Sequence, residues 1–167
     1  LTSARDLETF GERHIKDAVT MAGLIDPELA QKPLKAIDVG SGNGVPGIVL
    51  AILFPHWHID LMDSNNRKCL FLDTFLTSNA IQNANVLCDR AEYADRRERR
   101  QHYDIGFARA LGKMPTAMEL VTPMLKTGGT LIVPHGTTWE ETLKASQKAM
   151  LFSAYLPKSA GYPLNRS

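Results

Sequence analysis

Short apolar runs alternate along this chain with longer segments whose apolar positions recur at helical spacing. Leu7, Phe10, His14, Ala18 and Ala22 fall on one side of an amphipathic helix over residues ~6–24, which Gly23 and Pro27 close. Leu34–Val39 is a compact apolar run and reads as a buried strand, followed by an apolar helix over Val45–Phe54. The same alternation continues to the C-terminal part. Ile59–Met62 is a second strand, and Ser64 caps a helix that runs to about Ser78. Val86–Cys88 is a third strand, with a short helix from Ala91. Tyr103–Phe107 is a fourth, followed by a helix around Pro115–Val121. Gly128-Gly129 turns the chain into a fifth strand, Thr130–Val133. Thr137 and Thr138 each precede a glutamate by three residues (Glu140, Glu141), a capping-box start for a helix carrying Trp139, Leu143 and Met150.

Alternating strands and helices predict an α/β fold, a parallel sheet with helices on both faces. The expected layout is one domain over residues 1–167, with an N-terminal helical segment (1–30) and a Rossmann-like core (34–167).

The chemistry concentrates in one stretch, Asp38-Val-Gly-Ser-Gly-Asn-Gly-Val-Pro-Gly47. A strand, a glycine-rich turn and a helix in that order make a nucleotide-type ligand loop. Gly42-Asn-Gly-Val-Pro-Gly47 satisfies G-x-G-x-x-G, and Asp63 follows about twenty residues on, as in a dinucleotide site. The carboxylates Asp38 and Asp63 turn the choice of ligand. A pyrophosphate gains nothing from a carboxylate beside it. S-adenosyl-L-methionine (SAM) brings a sulfonium, an ammonium and a ribose diol, all suited to carboxylates. A plain strand-to-helix turn would not need four glycines in eight residues.

Composition adds exclusions. Apolar residues make up 44% of the chain and charged residues 22%, ordinary globular usage. No apolar run approaches the ~20 residues of a membrane span. The first residues are polar and charged and show no signal-peptide pattern, so a cytoplasmic location is expected. Cys69 and Cys88 lack metal-ligand spacing and read as buried free thiols, and no metal site is expected. A net charge of +1 gives no strong general grip on nucleic acid, so any RNA contact must use a local basic face.

Five motifs in order carry a family resemblance: Glu12-Arg-His-Ile-Lys-Asp17, Asp38-x-Gly-Ser-Gly-x-Gly-x-Pro-Gly47, Asp63-Ser-Asn-Asn-Arg-Lys68, Arg90-Ala-Glu92 and Ala108-Arg-Ala110. Together they resemble the bacterial GidB/RsmG family of ribosomal RNA methyltransferases. The resemblance implies a SAM-dependent methyltransferase fold and methylation of N7 of a guanine in 16S rRNA of the small ribosomal subunit. Alternatives are a methyltransferase of another substrate, a non-catalytic RNA-binding relative and, most weakly, an NAD-type oxidoreductase.

Parallel sheets bind ligands outside the carboxyl ends of their strands. Gly40, Ser41, Gly42 and Gly44 are therefore expected to pass the methionine part of SAM, with Val45 opening the next helix. Asp63 would accept from the ribose hydroxyls, Ala91 and Glu92 would edge the adenine, and Arg109 would lie near the transferring methyl as a positioning group. Arg13, His14, Lys113 and His135 are RNA-facing candidates, as are Arg67, Lys68 and Arg90. His14 also suits a partly buried place on its helix. The run Arg96-Arg-Glu-Arg-Arg100 precedes strand four and is expected at the amino edge, as a solvated face. No general base is expected.

The chain departs from the family pattern at Pro134-His135-Gly136, where a lysine is usual, and at Ala18, where a serine is usual. The family's final strand is also expected to be absent, leaving Ala154–Leu164 as an edge strand or irregular.

Overall fold

The computed structural model describes residues 14–94, 99–109, 111 and 114–133. The elements expected beyond Val133, including the capping-box helix and the Ala154–Leu164 segment, lie outside those residues.

In chain order the elements are α1 (Lys16–Gly23), α2 (Pro27–Ala30), β1 (Lys35–Val39), α3 (Gly47–Leu53), β2 (His58–Asp63), α4 (Asn66–Ser78), β3 (Ala84–Cys88), α5 (Ala91–Ala94), β4 (Tyr103–Ala108), α6 (Met114–Val121), a 3-10 turn (Thr122–Met124) and β5 (Leu125–Ile132). The strands form one five-stranded sheet in the order β3-β2-β1-β4-β5. Every pairing in it is parallel. Strand order reverses between β1 and β4. That switch point opens a crevice above their carboxyl ends, where α/β sheets take ligands.

The sheet is buried on both faces, which explains its continuous apolar strands. Ala36, Ile59, Leu61, Ile105 and Phe107 pack on one face with Met21 of α1, Ile48, Leu50 and Ala51 of α3, and Leu72 and Leu76 of α4. Ile37, Val39, Met62, Tyr103 and Ala108 pack on the other with Ala117 and Val121 of α6, Met124 and Leu125. In β1 the alternation of Ala36 and Ile37 between the two clusters is the period-two pattern of a strand.

Three local expectations change. Pro27 does not end the leading helix but opens α2, where Asp26 caps it by accepting from Glu28 and Leu29 N–H. Asn65, not Ser64, caps α4: its side chain accepts from the Arg67 and Lys68 N–H groups. The pair Gly128-Gly129 lies inside β5 and not before it. Tyr103 pairs with Leu125 but Ile105 pairs with Thr130, so the β5 side carries extra residues in an irregular bulge. Gly128 has φ 81° there, a conformation most residues avoid.

Buried Tyr103 spans from β4 to β2, its hydroxyl donating to Asp60 Oδ2 at 2.6 Å. Burial and that carboxylate push the phenol pKa well above its ordinary value, so the hydroxyl stays a donor. Tyr103→Phe should lower stability by about 1.5 kcal/mol in urea unfolding, the loss of a hydrogen bond to a charged acceptor. Cofactor affinity should not change.

Candidate active site

The end of β1 and the loop after it are built around one carboxylate. Asp38 is 1% exposed. Its Oδ2 accepts from Ser41 Oγ at 2.8 Å and from Gly47 N–H at 3.0 Å. The carboxylate thus ties both ends of the glycine loop and meets the first N–H of α3. Its Oδ1 is buried and has no hydrogen-bond partner among the described residues. Burial pushes the Asp38 carboxyl up to about 6, against the opposing pull of Ser41, Gly47 and Arg109. A cationic or N–H donor brought to that oxygen would offset the penalty.

The loop itself is anchored to the neighbouring strand, since Gly40 and Ser41 N–H both donate to Met62 O, at 2.8 and 2.9 Å. Gly40, Gly42 and Gly44 have φ of 74°, 59° and 84°. Gly42 leaves room for a ligand: a Cβ there would have Gly40 O at 3.7 Å and Lys68 Nζ at 3.9 Å as its nearest heavy atoms. Gly47 serves packing instead, because a Cβ there would fall 2.8 Å from Asp38 Oδ2 and press on Leu61. Val45, expected to open the helix, lies in the turn before α3 and is buried.

Asp63 ends β2 across the loop and is 6% exposed. Gly42 N–H donates to its Oδ2 at 2.9 Å and Asn65 N–H to its Oδ1 at 2.9 Å. Lys68 Nζ stands 3.6 Å from Oδ2. Each oxygen keeps capacity for a further donor, so Asp63 can still accept from a diol.

Arg109 follows β4 and is half-buried. Its Nε donates to Val45 O at 3.2 Å, and its Nη1 lies 2.7 Å from His14 Nδ1, which must accept there. One guanidinium therefore joins the leading helical segment, the glycine loop and the end of β4. His14 is half-buried in this contact, as its place on the apolar side of the helix suggested. Ala91 is half-buried and packs with the core, while Glu92 is exposed in the first turn of α5. Arg13, Lys113 and His135 lie outside the described residues.

Two further expectations change. Arg99 is not confined to the amino edge of the sheet. It pairs with Asp89, just past the carboxyl end of β3, at 3.2 Å. The Arg99 side chain therefore reaches farther up the sheet than strand polarity alone implies. The cysteines are not free thiols: the structure joins Cys69 and Cys88 in a disulfide with Cα atoms 5.7 Å apart. Cys69 is buried in α4, and Cys88 is exposed at the end of β3. They lie 19 positions apart in sequence, and only the packing of α4 beside β3 brings them together.

Sequence reasoning placed Asp38 near the loop but did not make it a site residue. Its signal was available as a carboxylate at a strand end, directly before a glycine turn. Lys68 was assigned to RNA, and its contact with Asp63 depends on where the first turn of α4 falls.

A family model described as rRNA small subunit methyltransferase G matches residues 1–161. Ribosomal RNA small subunit methyltransferase G of Caldicellulosiruptor bescii is 34% identical over 151 residues, covering 90% of this chain and 63% of its own. The protein of that name from Thermotoga neapolitana is 41% identical over 114 residues, covering 68% of this chain and 49% of its own. The chain thus spans less than two thirds of the length of these relatives. Among solved structures, a precorrin-6y C5,15-methyltransferase from Geobacter metallireducens superposes with a TM-score of 0.60 at 23% identity, over 83% of this chain and 70% of its own. A SAM-dependent O-methyltransferase from Thermotoga maritima does so with a TM-score of 0.63 at 17% identity, over 82% and 49%. At those identities the likeness establishes the fold, a Rossmann-like α/β sheet shared with methyltransferases. With the family model matching almost end to end, the chain belongs to the GidB family, rRNA small subunit methyltransferase G.

Proposed function

We propose that this protein transfers a methyl group from SAM to N7 of a guanine in 16S rRNA of the small ribosomal subunit, in the cytoplasm. The observation that carries the cofactor is a pair of buried carboxylates on either side of an open glycine loop. Asp38 has an oxygen without a partner among the described residues, and Asp63 retains acceptor capacity beside Gly42. That donor-hungry arrangement fits a ligand with an ammonium and a ribose diol and does not fit a pyrophosphate. Family membership supplies the substrate class.

Each residue has a defined task. Asp38 holds the loop closed on α3 and offers negative charge to a cation. Asp63 accepts from the ribose hydroxyls while the Gly42 and Asn65 N–H groups fix its orientation. Ala91 and Glu92 border the adenine. Arg109, held by Val45 O and His14, keeps the loop in register with β4 and positions the reacting groups without moving a proton. Arg13, Lys113 and His135 are assigned to the RNA face. When bound, SAM supplies an electrophilic methyl carried on a sulfonium.

Guanine N7 presents an in-plane lone pair and no proton, so nothing need be deprotonated. The protein's contribution is alignment and an electrostatic environment that tolerates a cationic base. The chemical step should be nearly flat between about pH 6.5 and 9, above the histidine range. Single-turnover rates at saturating RNA and SAM measure this, and a log-linear rise with pH would require a base and remove the N7 assignment.

Asp63→Ala should weaken SAM binding by about 1–3 kcal/mol in calorimetry, through lost hydrogen bonds to a charged acceptor. Tight NADH binding without SAM binding would overturn the cofactor. Transfer of labelled methyl from SAM to small-subunit RNA, with mapping of the modified base, tests the whole reading. Transfer only to another acceptor would indicate a methyltransferase of a different substrate. Binding of SAM and RNA without transfer would indicate a non-catalytic relative.

A further inference from the structure

Asp63, the ribose-side carboxylate, is bracketed by the two cysteines. Cys88 is its register partner on β3. Cys69 lies near the start of α4, next to Lys68, whose ammonium stands 3.6 Å from Asp63 Oδ2. The disulfide therefore links the beginning of α4 to the last residue of β3, three residues before Ala91. Both walls of the expected adenosine pocket start at this link. Cys69 is buried in the core, whereas Cys88 is an exposed residue at the sheet end. Disulfides in reducing compartments are characteristically transient or redox-sensing, and an exposed sulfur is the one a thiolate can attack.

We infer that Cys69 and Cys88 form a reversible thiol–disulfide pair that tunes cofactor affinity, its reactant being a low-molecular-weight disulfide of the glutathione type. The inference rests on the reading of the pocket as a SAM site. In the forward direction the Cys88 thiolate attacks the small disulfide, forming a mixed disulfide and releasing one small thiolate. The Cys69 thiolate then attacks the Cys88 sulfur and releases the second. Two protein thiols are oxidised, one small disulfide is reduced to two thiols, and two protons pass to solvent or to the released thiolates. The link fixes the path from β3 through Asp89 and Arg90 to Ala91 against the first turn of α4. The oxidised pocket is pre-ordered and the reduced one must be ordered by the ligand, which costs affinity.

The test uses the whole chain equilibrated with excess glutathione disulfide or with excess reduced glutathione, followed by removal of the small thiols. Thiol titration should find no reactive cysteine in the first sample and two in the second, and SAM calorimetry should show about five-fold weaker binding after reduction. Cys88→Ser, a change at an exposed position, should bind as weakly as the reduced protein under both conditions. Two titratable thiols after equilibration with the disulfide would overturn the pair. A closed pair with equal SAM affinity in both states would overturn the coupling and leave the cofactor reading intact. No SAM binding in either state would overturn the pocket reading and the coupling with it, and the thiol counts would still decide whether the pair forms.

Discussion

Asp38→Asn should leave the loop folded and weaken SAM binding about ten- to a hundred-fold, the equivalent of one lost charge-assisted hydrogen bond. Asparagine can still accept from Ser41 Oγ and Gly47 N–H, the two bonds that organise the loop. What it removes is the negative charge on a buried group whose other oxygen has no partner among the described residues. The pH dependence gives the clearest signature. Burial raises the folded-state pKa from 3.8 to about 6. For a raised acid, the favourable contribution to stability is complete below the unfolded value and is lost as pH rises through the folded one. Between pH 4 and pH 7 the free wild-type protein should thus lose about 2 kcal/mol from this group alone. The asparagine variant lacks that loss, so the difference in unfolding free energy between the two should shift toward the variant by about that amount across the window. Cofactor affinity should move the other way. Wild-type binding should weaken as pH falls through about 6, because protonation cancels the charge, whereas the variant should show no such step. Urea unfolding and calorimetry at a series of pH values measure both. A variant that binds SAM as well as wild type would remove Asp38 from the cofactor site.

Gly47→Ala and Gly42→Ala should separate the packing and binding functions of the same loop. A Cβ at Gly47 would stand 2.8 Å from Asp38 Oδ2 and press on Leu61, both buried and fixed. Overpacking of this kind costs about 1–3 kcal/mol, and it also displaces the carboxylate, so stability and affinity should fall together. A Cβ at Gly42 meets nothing closer than 3.7 Å, so the cost to the fold is the positive φ alone, about 1–2 kcal/mol. Its effect on SAM binding should be larger than its effect on stability, because it fills the side from which a ligand approaches. If the two variants lose stability and affinity in the same proportion, the loop is a packing device and the approach argument is wrong.

The order of elements was legible because parallel strands buried on both faces read as short apolar runs, and the glycine loop marks where the first strand ends. Asp63 could be placed from spacing alone, since a carboxylate at the second strand end follows from the βαβ geometry. Boundaries set by side-chain caps were less accessible. Asn65 and Ser64 are both good caps, and only the direction of the chain leaving β2 selects Asn65. The bulge at Gly128 was hidden for a similar reason, because paired glycines signal a turn whether it joins two elements or interrupts one. Sequence by itself determined the fold class, the family and the position of the glycine loop, all of which depend on local pattern and on motifs in order. Tertiary structure decided which groups touch: the Asp38 bridge across the loop, the Arg109–His14 contact 95 residues apart in sequence, the Arg99–Asp89 pair and the Cys69–Cys88 link. Each depends on how far one element slides past another, and periodicity carries no record of that distance.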